Sequence, residues 1–407
     1  MSMEPRTPKR PVHIELSGKH KKLRMILICI LLAVGVTALA FGLYTLIKPD
    51  TGWQKVEANC DGINVGQDFV LQYDYSGTSA ERRQLTSLYS QALEDAYWIF
   101  TSDQAAEGFA NLYTLNHSPN EKLTVDPALY EALFLLENAG SRQLYLGPVY
   151  REYYNLFTSE TDEQAQTHDP KINGDATQYI KTLITFIQST DAIRLELLGN
   201  NQVILHISDA YLNFLRQNEI DTLLDFHFMK NAFIADYLAE TLKSQGFTSG
   251  YLASYDGFTR NLYGKGKSFA LNIYDYLDNT IYPAGVMEYQ GPMSIVNLRG
   301  FPIMQEDRYH YYAYQTGQLV TPYIDPADGL CKNSVASLIS YSETKSCARI
   351  LLEILPVYIS GTFRQENLLN LNGIESVWCQ DKTIFRTDPN LFIGNLLTNE
   401  EISYKLS

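Results

Sequence analysis

Residues 223–244 read LLDFHFMKNAFIADYLAETLKS, an apolar run that leads directly into a pattern with the period of a helix. The apolar side chains of the second part recur at spacings of three and four residues: Phe233, Ile234, Tyr237, Leu238 and Leu242. This spacing predicts a helix over residues 231–244 with one face turned to a core. His227 lies in the apolar run, and its surroundings favour a packed core residue over a metal ligand.

Outward from this stretch, helical and strand patterns occur in mixed groups. The hairpin signals are Gly199-Asn200-Asn201 and the turn Thr316-Gly317 inside YHYYAYQTGQLVTPYI, residues 309–324. Residues 159–178 are polar and acidic, which predicts an exposed loop. Helices are predicted over residues 80–100, 126–139, 179–188 and 342–357, and strands over residues 69–73, 193–197 and 203–207. Because the two types do not alternate strictly, we expect an α+β fold of mixed helices and antiparallel sheets.

A charge-free apolar stretch, MILICILLAVGVTALAFGLYTLI, covers residues 25–47. About 20 apolar residues cross the hydrocarbon core as a helix, and no small-x-small cleavage site follows, so an uncleaved anchor is favoured over a signal peptide. Bases precede the stretch, which predicts a cytoplasmic N-terminus and an extracytoplasmic main domain at the cell membrane. We therefore expect a basic tail (1–24), one transmembrane helix (25–47), a juxtamembrane link (48–68) and a folded domain (69–407).

The balance of charge and the cysteines limit the classes of function. The formal net charge is −14 although the tail is basic, which argues against nucleic acid as a partner. Four cysteines follow the apolar stretch without metal-ligand spacing, and free thiols are favoured over disulfides. The sequence contains no P-loop, no HExxH, no dinucleotide-binding glycine motif and no serine-hydrolase signature. The 29 tyrosines leave open an unrelated cell-surface domain that stacks on sugar rings.

Several segments in order resemble the FAD:protein FMN transferase (ApbE-type) family over residues 65–359. DFHFMKNAFIAD, residues 225–236, aligns with the family pattern D-L-G-x-I-A-K-G-Y-x-x-D. GQLVTPYIDPADG, residues 317–329, aligns with G-x-x-y-x-H-I-x-D-P-x-T-G. The other matching segments are Leu115-Asn116, VDPALYEAL from Val125, Leu146-Gly147-Pro148-Val149, YDGF from Tyr255, and Ser334-Val335 as a strand before a helix that begins near Ser346.

The resemblance implies an ApbE-like, T-fold-related domain and a flavin substrate. Members of the family cleave FAD at its diphosphate and attach FMN to a Thr or Ser of an exported redox protein, with Mg²⁺. A cation must polarise the diphosphate in such a reaction. The positions that keep the residue types of the family are the cofactor-binding residues that the resemblance implies: Asp225, Asp236, Gly257 and Asp325.

Most of the reactive positions of the family differ in this chain. The Lys of the first pattern falls on Asn231, its first Gly on His227, the His of the second pattern on Pro322, and the metal-binding Asp of A-D-A-x-x-T on Cys347. A thiol is a poor ligand for a hard cation. We therefore predict no catalytic and no metal-binding residue, and a degenerate transferase-like domain that acts as a membrane-displayed scaffold for a flavin, a nucleotide or a protein.

Two alternatives to this scaffold remain open. An active Mg²⁺-dependent FMN transferase would modify an exported flavoprotein near the membrane, with its metal ligands among Asp225, Asp236, Asp256, Asp325 and Asp328. The unrelated cell-surface binding domain is the other. FAD is the expected cofactor in either family-based reading, and Mg²⁺ only in the active one.

Overall fold

The structure, a computed structural model, describes residues 21–47, 51–60, 68–264, 266–304, 307 and 310–407. Residues 1–20 of the predicted tail and residues 48–50 and 61–67 of the predicted link lie outside these ranges. The first described element is helix α1, Lys21–Ile47. Its segment Met25–Tyr44 has a mean hydropathy of 2.8 and is long and apolar enough to cross a membrane.

The chain divides into two compact units. Helix α1 belongs to the first, with residues 76–82, and the second comprises residues 52–75 and those from 83 to 407. The further helices in the described ranges are α2 Ser79–Phe100, α3 Leu112–His117, α4 Pro127–Asn138, α5 Gly147–Phe157, α6 Asp162–His168, α7 Gly174–Gln188, α8 Asp209–Gln217, α9 Lys230–Ser244, α10 Cys347–Tyr358 and α11 Gln365–Leu369. The strands are β1 Gly52–Val56, β2 Phe69–Tyr75, β3 Lys122–Thr124, β4 Ile193–Gly199, β5 Gln202–Ile207, β6 Gly250–Ser254, β7 Phe258–Asn261, β8 Ser268–Leu277, β9 Thr280–Gln290, β10 Met293–Arg299, β11 Tyr312–Ala313, β12 Leu319–Val320, β13 Ser337–Ser342, β14 Glu375–Gln380, β15 Thr383–Arg386, β16 Phe392–Gly394 and β17 Lys405–Leu406.

A nine-stranded sheet organises the second unit, in the order β1-β2-β6-β7-β10-β13-β14-β15-β17. Its neighbouring strands are antiparallel except for the parallel pair β15–β17. Three smaller sheets join β16-β9-β8, β3-β5-β4 and β11-β12 within the described residues. The predicted α+β class with antiparallel sheets is confirmed. Strand β1 lies inside the segment that the sequence presents as a link.

The central strands of the large sheet are covered on both faces, because every residue of β10 and β13 is buried. Along β10 the side chains alternate between two apolar cores. Val296 and Leu298 join a large core with the helices, whereas Ile295 joins a smaller core with β8 and β9. The helices α9 and α10 pack against each other and against β7 and β10 on the helical side. This packing confirms the predicted apolar face of the helix that follows Asn231.

The predicted loop at residues 159–178 is wrong, since α6 lies within it and α7 begins before it ends. Both helices have side-chain N-caps. Thr161 accepts a hydrogen bond from the amide of Gln164 (3.3 Å), and Asn173 accepts one from the amide of Asp175 (2.8 Å). Such caps satisfy amides that otherwise lack partners at a helix start, so a polar segment can be helical.

The predicted helix over residues 342–357 begins too early. Ser342 ends β13, and its hydroxyl accepts hydrogen bonds from the amides of Thr344 (3.2 Å) and Lys345 (3.1 Å) in a turn. Helix α10 starts after Ser346, which caps it. The strand expected at residues 334–335 likewise begins three residues later, at Ser337. The hairpins at Asn200-Asn201 and Thr316-Gly317 are confirmed, the second with strands of only two residues.

Gly257 occupies the turn between β6 and β7, and its conformation excludes side chains. Its φ is +113°, and an added Cβ would lie 2.3 Å from the carbonyl oxygen of Asn297 in β10. The carbonyl oxygen of Gly257 itself accepts a hydrogen bond from the backbone amide of Asn297 at 2.9 Å. Glycine is thus required for the chain path beside β10.

We expect Gly257→Ala to lower the free energy of unfolding by about 2 kcal/mol or more, because the new Cβ meets backbone atoms at a disfavoured φ. Urea unfolding of the detergent-solubilised chain measures the loss. Gly264→Ala is the matched control, since no atom lies within 4 Å of a Cβ built at that glycine. Equal stability of the two variants would contradict the assigned role of Gly257.

Candidate functional site

A cavity of about 460 Å³ opens in the second unit where the start of α9, the β6–β7 turn, the end of β10 and residues 310–323 meet. Its volume is in the range of small-molecule sites. Asn231, Asp256 and Pro322 line it, at positions where the resemblance implies a lysine, a glycine and a histidine. Three departures from the family pattern that are far apart in the chain therefore lie on one wall.

Asp225 lies on the cavity wall just before α9. Its carboxylate accepts hydrogen bonds from the backbone amide of His227 (2.7 Å) and from the hydroxyl of Ser102 (3.1 Å). Burial raises the pKa of Asp225 above its usual value, although these bonds and the Lys230 charge oppose the shift. The carboxylate is thus both a structural acceptor for this turn and part of the polar wall.

His227 follows in a short 3₁₀ turn, His227–Met229, with a φ of +43°. The sequence alignment places a glycine of the family here, and a positive φ is the conformation in which glycine is normal. Instead, the imidazole stacks on Tyr150 with 4.1 Å between ring centroids and also lines the cavity. The ring is thus packed against an aromatic side chain, and the choice between a core residue and a ligand of the cavity stays a prediction. Burial lowers the pKa of His227 well below its usual value, which keeps the ring neutral.

Asn231 and Asp256 form a polar pair across the cavity wall, with the Asn231 Nδ2 donating to Asp256 Oδ2 at 3.0 Å. Burial raises the pKa of Asp256 to about 6, and the charge of Asp68 adds to the increase. Hydrogen bonds from Ser254 and Asn231 and the charge of Arg299 lower the pKa but do not cancel the effect of burial. The pair fills positions where the resemblance implies a lysine and a glycine.

Arg299, at the end of β10, supplies a buried cation to the same wall. Its Nη2 donates to the carbonyl oxygen of Tyr255 at 2.9 Å and lies 3.7 Å from the carboxylate of Asp307. Sequence reasoning missed Arg299 and Asp307, because each lies in a segment without a motif. A buried arginine in a strand that is otherwise apolar was the one available signal.

Lys230 is the other fixed cation on the wall, at the start of α9. Its side-chain amine has no hydrogen bond or salt bridge with another residue in the ranges that the structure describes. Among the described lining residues, aspartates are more numerous than lysines and arginines: Asp68, Asp103, Asp225, Asp256 and Asp307. Burial lowers the pKa of both lining histidines, His227 and His310, so these described residues carry an excess of negative charge.

Asp236 lies on α9 away from the cavity lining and is engaged within the protein. Its two carboxylate oxygens accept the amides of Cys347 and Ala348 at the start of α10, each at 2.9 Å. The same carboxylate pairs with the guanidinium of Arg260, which also binds Glu240 at 2.7 Å. A carboxylate at a helix N-terminus and a buried arginine therefore stabilise each other.

Cys347 begins α10 as a fully buried thiol, whose Sγ donates to the carbonyl oxygens of Thr259 (3.4 Å) and Ile295 (3.7 Å). Burial raises its pKa well above the usual value, and the charge of Asp236 adds to this. The thiol is thus held neutral. It cannot take the part of the metal-binding aspartate that the resemblance assigns to this position.

The remaining two predicted cofactor-binding residues also lie outside the cavity lining. Gly257 forms the β6–β7 turn between the lining residues Asp256 and Phe258. Asp325 caps its own turn and pairs with Lys332 at 2.7 Å, as Asp328 does at 2.6 Å. Of the four residues, Asp225 alone lies on the described cavity wall, and the flavin contacts of all four stay predictions.

Magnesium does not fit the described residues. Within these ranges no three His, Cys, Asp or Glu side chains are grouped so that they could hold a metal ion. Asp236 is bound to Arg260 and to backbone amides, Asp325 and Asp328 are bound to Lys332, and Cys347 is a neutral thiol. The described residues therefore present no preformed cluster of protein ligands for Mg²⁺.

The architecture of the second unit is similar to that of solved ApbE proteins. It matches the ApbE protein of Thermotoga maritima (TM-score 0.56, 12% identity, 80% of this chain and 94% of that chain). It also matches the flavin transferase ApbE of Vibrio cholerae (TM-score 0.53, 12% identity, 85% of this chain and 98% of that chain). A third match is the apo form of the flavinyl transferase ApbE of Pseudomonas stutzeri (TM-score 0.50, 12% identity, 83% of this chain and 94% of that chain).

The second unit therefore has the ApbE fold, and the resemblance predicted from the order of segments is confirmed at the level of the fold. No family model matches the sequence, and no curated protein matches it. The likeness to these structures is therefore one of backbone architecture, at 12% sequence identity.

We expect Asp256→Asn to raise the stability of the protein above neutral pH. Because the folded pKa of about 6 exceeds the usual 3.8, the folded state binds the proton more tightly, and stability declines as pH rises from about 4 through 6. Asparagine cannot ionise, so the variant does not lose this stability. Its free energy of unfolding should exceed that of the unmodified chain by about 3 kcal/mol at pH 8, and the difference should fall toward zero near pH 4. Urea unfolding between pH 4 and pH 8 measures the difference, with exposed Asp191→Asn as control. A gain independent of pH would disprove the assignment.

Proposed function

We propose that this chain is a membrane-anchored, extracytoplasmic ApbE-fold domain that binds a flavin without transferring it. The observation that supports the proposal is the arrangement of Asp236, Arg260 and Cys347. A guanidinium is bound to the carboxylate nearest the position where the resemblance expects a metal, and a neutral thiol replaces the expected metal ligand.

Cleavage of a diphosphate requires a cation that can contact the phosphate oxygens and an acceptor hydroxyl that loses its proton. Arg260 is buried and bound to two carboxylates, Asp236 and Glu240, so its charge is compensated within the protein. The described wall of the cavity carries several aspartate carboxylates, which do not stabilise the negative charge of a diphosphate. A pocket of suitable size beside a charge-compensated arginine and a neutral thiol, among the described residues, supports binding without transfer.

The anchor supports a scaffold role near a membrane surface. Helix α1 is apolar over Met25–Tyr44, and seven Lys and Arg residues precede this segment against one, Lys48, directly after it. This asymmetry favours a cytoplasmic N-terminus. The partner would then be a membrane-proximal protein outside the cytoplasm, such as an exported flavoprotein.

The purified full-length chain, with FAD, Mg²⁺ and an acceptor protein carrying a flavinylation site, is expected to release no AMP and to leave the acceptor unmodified. Chromatography of nucleotides and in-gel flavin fluorescence measure the two products. The Vibrio cholerae flavin transferase is the positive control. Millimolar Mg²⁺ is also expected to leave the melting temperature unchanged, since no ligand set binds it. Stoichiometric AMP and covalent flavin would instead establish the active-transferase alternative.

The orientation has its own test in intact cells. A membrane-impermeant maleimide is expected to label Asp191→Cys, an exposed position of the second unit, and not Thr7→Cys in the basic tail. After the cells are permeabilised, both variants should react. Unmodified chain shows the background from native thiols. Labelling of Thr7→Cys but not Asp191→Cys in intact cells would reverse the proposed topology.

A further inference from the structure

The charge on the cavity wall disfavours an anionic ligand. Among the residues that the structure describes, five aspartates line the cavity against the two fixed cations Lys230 and Arg299, and Arg299 already faces Asp307. A diphosphate brought into this partly buried space would be repelled, since charges interact more strongly there than in bulk water. No metal-ligand group in the described residues could offset the repulsion.

The same cavity offers aromatic surface for a planar ring. Six lining residues share this property: Tyr154, Phe228, Tyr255, Phe258, Tyr311 and Tyr323. Phe228 and Tyr323 are packed edge to face, with 5.2 Å between their ring centroids. Aromatic walls bury a flat heterocycle well and hold it by offset stacking or edge contacts.

Polar atoms on the wall lack partners within the part of the chain that the structure describes. They are two acceptors, Asp256 Oδ1 and Asn231 Oδ1, a donor, the Nε of Arg299, and the Nδ1 of the neutral His227 ring, which donates or accepts according to the tautomer. Arg299 is only 7% exposed, so its free N–H is deeply buried. Buried polar atoms without partners are costly, and a ligand that satisfies them gains binding energy. A ring edge with both N–H and C=O groups complements this set.

We infer that the cavity takes a planar, phosphate-free heterocycle whose edge carries N–H and C=O groups, such as the ring of riboflavin, and selects against its phosphorylated forms. This inference rests on the proposed function, because it assumes a flavin pocket without diphosphate chemistry. Aromatic residues hold the ring, the unpartnered atoms bind its polar edge, and the aspartates exclude phosphate.

Riboflavin and FMN differ by one phosphate and are the matched probes, with FAD as a third. The full-length chain in detergent, with EDTA and low salt at pH 7.5, is titrated by flavin fluorescence. We expect riboflavin to bind at least about 10-fold more tightly than FMN or FAD, and the ratio to shrink with added NaCl because salt screens the wall charge.

The variant Asp256→Asn keeps the size of the side chain and removes one charge, so the preference for riboflavin over FMN should fall several-fold. Asp191→Asn, on the exposed surface, should leave the preference unchanged. FMN or FAD binding as tightly as riboflavin would overturn the inference, as would the absence of binding by any of the three. Neither result bears on flavin transfer, because AMP release tests that separately.

Discussion

The carboxylate of Asp236 joins three elements of the large core: it lies on α9, pairs with Arg260 of β7, and accepts the first two amides of α10. Arg260 is 7% exposed, and a buried guanidinium without a partner is strongly destabilising. The helix start adds unsatisfied amides that also require an acceptor. The carboxylate of Asp236 therefore compensates the buried guanidinium and caps the start of α10, which holds α9 and α10 against β7.

The ion pair between Asp236 and Arg260 also fixes the start of α10. A guanidinium of the protein supplies the positive charge beside Asp236, and Cys347 packs as a neutral, buried thiol next to it. The same carboxylate accepts the amides of Cys347 and Ala348, so α9, β7 and α10 are connected through one side chain.

Much of the architecture could be predicted from local patterns. The apolar period after Asn231 and the glycine and asparagine turns are local properties, and their elements agree with the prediction. The polar segment around α6 was missed because its helix depends on the Thr161 cap and on packing, not on an apolar stripe. The order of aligned segments indicated the fold, because glycine turns such as that at Gly257 persist where the backbone leaves no room for a side chain.

The sequence by itself determined the apolar N-terminal helix and the α+β class, since each depends on composition or on spacing along the chain. Only the tertiary structure decided which residues meet. It placed Asn231, Asp256, Pro322 and the unpredicted Arg299 on one wall, and it bound Asp236 to Arg260 instead. The physical reason is that charge compensation and burial depend on distances between segments far apart in the chain, which no local pattern records.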